Sequence, residues 1–119
     1  MPKSLRLIAV LVVLAIGALA ASVPALAGAP ATVEVQDGFF FKDKLTVKLG
    51  TKVTWKWTPS TYLPHNVTVK SGPVKFHSPT KLSSSYKYSH VFTKAGIYKI
   101  VSTTDTHLGM KMTVTVKAH

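Results

Sequence analysis

One imidazole and one thioether stand three residues apart in the stretch Thr104-Asp105-Thr106-His107-Leu108-Gly109-Met110, between two runs that alternate apolar and polar residues. That spacing across a short loop lets a ring nitrogen and a sulfur face one centre, which is half of a metal site. The other half has to come from elsewhere, and His65, in Leu63-Pro64-His65-Asn66-Val67 at the head of a strand-like run, is the matching imidazole. Each residue also has a plain structural reading. A histidine at a strand start more often makes hydrogen bonds than metal bonds. Met110 has the same parity as Met112, Val114 and Val116, so core packing alone would account for it.

The elements that must position these side chains are strands. Residues 31–35 open with an alternating run that ends at the turn pair Asp37-Gly38 and the cluster Phe39-Phe40-Phe41, of which at least one ring belongs in a core. Leu45, Val47 and Leu49 alternate with Thr46 and Lys48, and after Gly50-Thr51 the residues Val53, Trp55 and Trp57 alternate with Lys52, Thr54 and Lys56. Period two predicts two half-buried antiparallel strands here. Residues 58–64 read as a loop that delivers His65 to Val67-Thr68-Val69. Tyr86, Tyr88, His90 and Phe92 share a face, Lys94-Ala95-Gly96 turns the chain, and a last hairpin runs from Ile97 to Val116. No helical period appears. The spacing of turn signals predicts an all-β sandwich of about seven to eight strands.

The segments around His65 and Met110 together resemble the copper-binding motifs of the cupredoxins, the plastocyanin, amicyanin and pseudoazurin family. The run Leu45-Thr46-Val47-Lys48-Leu49-Gly50-Thr51-Lys52-Val53-Thr54-Trp55 is also similar to a stretch that these proteins carry upstream of their first histidine ligand. The resemblance implies a Greek-key β-sandwich and a copper site. The family's second motif is Cys-x-x-His-x-x-Met, and set on Thr104, His107 and Met110 it puts a threonine at the thiolate position. The chain contains no cysteine that could replace it.

Type 1 copper takes two imidazoles, a thiolate and a weak axial sulfur. What the resemblance leaves is His65, His107 and Met110, an N, N, S set for Cu(I), or for Cu(II) with added oxygen ligands, with Asp105 or water in the open position. Asn66 follows the first histidine as it does in plastocyanins, where it clasps the two ligand loops together; its partner here would be Asp105. Met112 reads as a core filler or a second soft ligand, His90 as a core or edge histidine, and His77 and His119 as surface residues.

Lys3 and Arg6 precede an apolar run over residues 7–21, and Ala25-Leu26-Ala27 has the small-residue pattern of a cleavage site, so residues 1–27 read as an export signal and 28–119 as one domain without a transmembrane segment. A retained anchor is the other reading of that run. The formal charge is +11, and setting aside Lys3 and Arg6 leaves 13 lysines against the same 4 acids, a formal +9. Such a monomer is drawn to anionic surfaces, an acidic protein or an anionic membrane. The lysines fall singly at outward strand positions rather than in blocks, which argues against nucleic acid.

No Gly-x-Ser-x-Gly elbow or phosphate loop occurs, and Glu34 is the only glutamate, so the pattern is not that of an enzyme. Three functions follow. The first is an exported periplasmic or extracellular protein that holds or carries copper at a non-blue site. The second is an electron-transfer protein of the plastocyanin kind, and the third is a metal-free sandwich that acts as an interaction module.

Overall fold

Period-two alternation turns Val53, Trp55 and Trp57 to one side of strand β4 (Lys52–Trp57), where all three are wholly buried, and leaves Lys52 and Lys56 in solvent. The computed structural model that places them describes residues 28–82 and 84–119. The leader read at 1–27 lies outside the described residues.

Beside β4 stand β1 (Ala31–Gln36), β2 (Phe39–Phe41) and β6 (Lys87–Val91), in the order β2-β1-β4-β6. The second sheet holds β3 (Lys44–Lys48), β5 (Thr68–Ser71), β7 (Gly96–Val101) and β8 (Lys111–Lys117), in the order β3-β8-β7-β5. Their inner faces meet over Val33, Val35, Trp55, Phe92, Tyr98, Ile100 and Val114. This is the all-β sandwich that the alternation predicts. Of the three phenylalanines in β2 only Phe40 faces the core. Met112 is a core residue whose sulfur accepts the Trp55 Nε1–H at 3.3 Å.

One expectation is corrected. Strands β3 and β4 are not an antiparallel pair: β3 runs parallel to β8 in one sheet, and β4 runs parallel to β1 and antiparallel to β6 in the other. Gly50, at φ 87°, carries the chain between the sheets, with Leu49 N–H donating to the Lys117 carbonyl and Gly50 N–H to that of Phe92. Alternation says which side chains face inward. It does not say which strand is the neighbour, so a Gly-Thr link between two alternating runs looks the same whether it closes a hairpin or crosses the sandwich.

His90 lies half-buried on β6, its ring stacked on Phe76 with centroids 3.7 Å apart. Burial pushes its pKa below the ordinary 6.5, because the stack disfavours the charged ring. The unfolded chain therefore takes up this proton first on acidification. Stability should be complete above about pH 6.5 and decline as the pH falls from there towards the folded value. Urea midpoints compared at pH 7.5 and 5.5 test this: His90→Gln should flatten that part of the profile, and an unchanged slope would assign it to another group.

Candidate metal centre

His65 leaves the loop of residues 58–64 as a fully buried residue, fixed by an isolated antiparallel bridge in which its N–H and carbonyl pair with Lys81, each at 2.9 Å. Its ring lies between two carboxylates. Nδ1 is hydrogen-bonded with Oδ2 of Asp105 at 2.5 Å and Nε2 with Oδ1 of Asp37 at 2.7 Å. Both ring nitrogens are therefore engaged by carboxylate oxygens, and neither faces open space.

The carboxylates have their own partners. Asp105 is buried, and its Oδ2 also accepts from Ser102 Oγ at 3.1 Å and lies 2.8 Å from Thr104 Oγ1. Asp37 accepts the backbone N–H groups of Tyr62 and Leu63. Burial works to raise the Asp37 pKa, but the His65 hydrogen bond and those two N–H donors outweigh it and hold the carboxyl below its usual 3.8. The arrangement joins three distant stretches: the β1–β2 turn, the loop before β5 and the connection from β7 to β8.

That connection is a 3-10 segment, Thr103–Leu108, kinked at Asp105 and closed by Gly109 in the left-handed conformation at φ 72°. The kink turns Asp105 inward while its neighbours Thr104 and Thr106 stay exposed. Ser102 is completely buried. It continues the inward parity of Tyr98 and Ile100, accepts the Asn66 N–H on its Oγ at 3.2 Å, and lies opposite Met110, whose carbonyl accepts the Ser102 N–H.

The residues singled out in the sequence thus separate. His65 and Asp105 are brought into contact, and Met110 is buried in the core beside Ser102. His107 stands exposed in the 3-10 segment and shares no partner with His65 among the described residues. Thr104 is exposed, with its hydroxyl 2.8 Å from the Pro64 carbonyl. Asn66 does clasp the two loops, but its partner is not Asp105, and this expectation is corrected. Its Nδ2 donates to Thr103 Oγ1 at 2.7 Å and to Thr80 Oγ1 at 3.0 Å, and its Oδ1 accepts the Thr103 N–H at 3.1 Å. Asp105 is turned inward to the imidazole instead. His77 and His119 are exposed.

Sequence reasoning missed Asp37 and Ser102. Asp37 was legible only as a turn residue. The chain has just 4 acidic residues, and two of them, Asp37 and Asp105, hold the one buried imidazole.

Comparison with known proteins agrees on the architecture. A family model described as copper binding proteins, plastocyanin/azurin family, matches residues 29–117. A comparison with curated proteins gives no match. Among solved structures, a copper-containing nitrite reductase from Thermus scotoductus SA-01 is similar at 26% identity and a TM-score of 0.64 over 76% of this chain; the match spans only 23% of that enzyme. A reduced amicyanin variant is similar at 28% identity and 0.61, covering 74% of this chain and 82% of that one. A purple cupredoxin from Nitrosopumilus maritimus is similar at 26% and 0.59, covering 73% and 99%.

The donor set does not fit type 1 copper. Around Ser102 and Asp105 there is one imidazole where two are needed, and hydroxyl and carboxylate oxygens where a thiolate is needed. Among the described residues, no group of three or more histidine and acidic side chains is arranged to hold a metal ion.

Proposed function

The chain belongs to the copper-binding plastocyanin/azurin family, and from that premise we propose that it is a redox-silent member, an exported sandwich domain that acts by binding a partner rather than by carrying electrons. The single observation that supports this is the His65 ring held by Asp105 on one nitrogen and by Asp37 on the other. A ring with both nitrogens engaged by carboxylate oxygens offers no free lone pair to a metal. In this reading Ser102 stands at the thiolate position and Asp105 at that of the second imidazole, because Ser102-x-x-Asp105 has the spacing of Cys-x-x-His and both side chains meet His65 or its neighbour Asn66. The hydrogen bond between His65 and Asp105 takes the metal's place. It ties the ligand loops together as a metal would.

The same end of the sandwich carries exposed Tyr62, Leu63 and Leu108, with Leu82 next to the Lys81 bridge. These apolar groups give the domain a surface for a protein partner. Export rests on the leader at 1–27.

A second reading keeps copper. His65 and Asp105 meet at one point, and loss of the ring protons would expose an imidazole nitrogen and carboxylate oxygens to Cu(II) as a non-blue site. An electron paramagnetic resonance titration of residues 28–119 with one equivalent of Cu(II) at pH 7 separates the two. The first reading expects the signal of unbound copper, or of weak binding that survives His65→Ala. A stoichiometric wide-hyperfine signal that disappears in His65→Ala establishes the copper-holding site and ends the redox-silent reading.

A further inference from the structure

The outer face of the β3-β8-β7-β5 sheet carries six exposed lysines, Lys44, Lys48, Lys70, Lys99, Lys111 and Lys117, and none of its four strands contains an acid. Among the described residues the only ion pairs are those of His65, so two of the four acids are spent inside the fold and none is paired with a lysine of this face. Lys48 and Lys117 are direct cross-strand partners. Like charges so placed repel, and a sequence that keeps them is giving up stability at that position.

The charges are spread in two dimensions. Lys44, Thr113 and Lys99 form one row across three strands, and Lys111 lies two residues along β8 from that row. Strand spacing puts neighbouring ammonium groups about 8–10 Å apart over a face about 14 Å wide. Lys44, Lys70, Lys99 and Lys111 rim a groove of 510 Å³ with the half-buried Val101 in its lining, and Ile97 projects from the same face, 57% exposed. Asp43 is the one carboxylate in the groove.

We propose that this face docks on an anionic phospholipid bilayer, with lipid phosphates seated among Lys44, Lys70, Lys99 and Lys111. A cationic array in two dimensions complements a plane of headgroups, whereas a single extended polyanion would engage only one row. The apolar lining and the exposed Ile97 suit the boundary between headgroups and acyl chains, which a hydrated acidic polymer lacks. The opposite sheet provides an internal control. Its outer face has Lys52, Lys56 and Lys87, but Glu34 stands in register beside Lys56. The proposal does not depend on how the His65 cluster is read.

Among the described residues the buried core runs from Val33 to Val116, and residues 28–119 are the piece to test. Co-sedimentation with vesicles of phosphatidylcholine alone and of phosphatidylcholine with phosphatidylglycerol should show binding only to the anionic set, lost as salt shortens the Debye length from about 10 Å at 0.1 M to about 3 Å at 1 M. The triple variant Lys44→Glu, Lys99→Glu, Lys111→Glu should weaken the partition by about a hundredfold or more. The same charge change at Lys52, Lys56 and Lys87 should weaken it several-fold at most. If either triple variant fails to fold by circular dichroism, the Lys→Gln versions carry the comparison. Equal losses from the two faces would reduce the effect to net charge and overturn the proposal. So would a parent protein that ignores anionic vesicles, including one that instead binds poly-glutamate, which would point to an acidic protein.

Discussion

The paired substitution Ser102→Cys with Asp105→His is expected to turn a colourless domain into a blue copper protein. It places a thiolate in the buried position that now accepts the Asn66 N–H, and a second imidazole in the position that now meets His65 Nδ1. Removing the Asp105 carboxylate frees Nδ1. Asp37 stays bonded to Nε2, and a carboxylate on the far nitrogen is how a metal-binding histidine is oriented and its tautomer set. Met110, buried in the core beside Ser102, would be the sulfur ligand. It follows Asp105 by five residues rather than the three of the family motif, and the 3-10 segment with Gly109 takes up the extra length. The control is Thr104→Cys with His107 left in place, which is what sequence spacing alone would build. Thr104 and His107 are both exposed, so that variant should stay colourless with Cu(II). Absorption and electron paramagnetic resonance spectra read the result. A folded, colourless double variant, or a blue Thr104→Cys, would show that Ser102 and Asp105 are not the ligand positions.

The second large effect is on stability. Asp105→Ala should destabilise the domain by about 3–5 kcal/mol, since it leaves a fully buried ring with one partner lost and takes from Ser102 Oγ the carboxylate it donates to. Asp37→Ala should be milder. That side chain is 29% exposed, so water can replace part of what it gives the ring. Urea denaturation of both variants checks the order, and Asp37→Ala being the more damaging would place the weight of the cluster on the wrong carboxylate. Acid should reach the same cluster by another route. The Asp37 pKa is lowered in the fold, so its contribution is complete above the unfolded value of 3.8 and is lost as the pH falls through the folded one. Stability should therefore drop further below about pH 3.8 in the parent and less in Asp37→Ala.

Much of this site was legible one residue at a time. His65 stood out by its place before a strand, and Asn66 by following it. Met110 and Met112 shared the parity of the β8 core residues. Distance in sequence hid the rest. Asp37 reaches His65 across 28 residues and Asp105 across 40, and nothing local marks a carboxylate as the partner of a particular ring. Sequence spacing sets the second motif on Thr104 and His107, both of which the structure leaves exposed. The backbone instead kinks at Asp105, turning that side chain inward while leaving its neighbours outside.

The amino-acid sequence by itself determined the strands, the inward faces, the basic exterior and the absence of a thiolate, because alternation, charge and composition are local or additive properties of the chain. Only the tertiary structure decided that β3 and β4 belong to different sheets, that six lysines gather on one face, and that His65 lies between two carboxylates. Those are facts of which segments become neighbours, and the neighbours are chosen by burial of the whole core rather than by any one stretch.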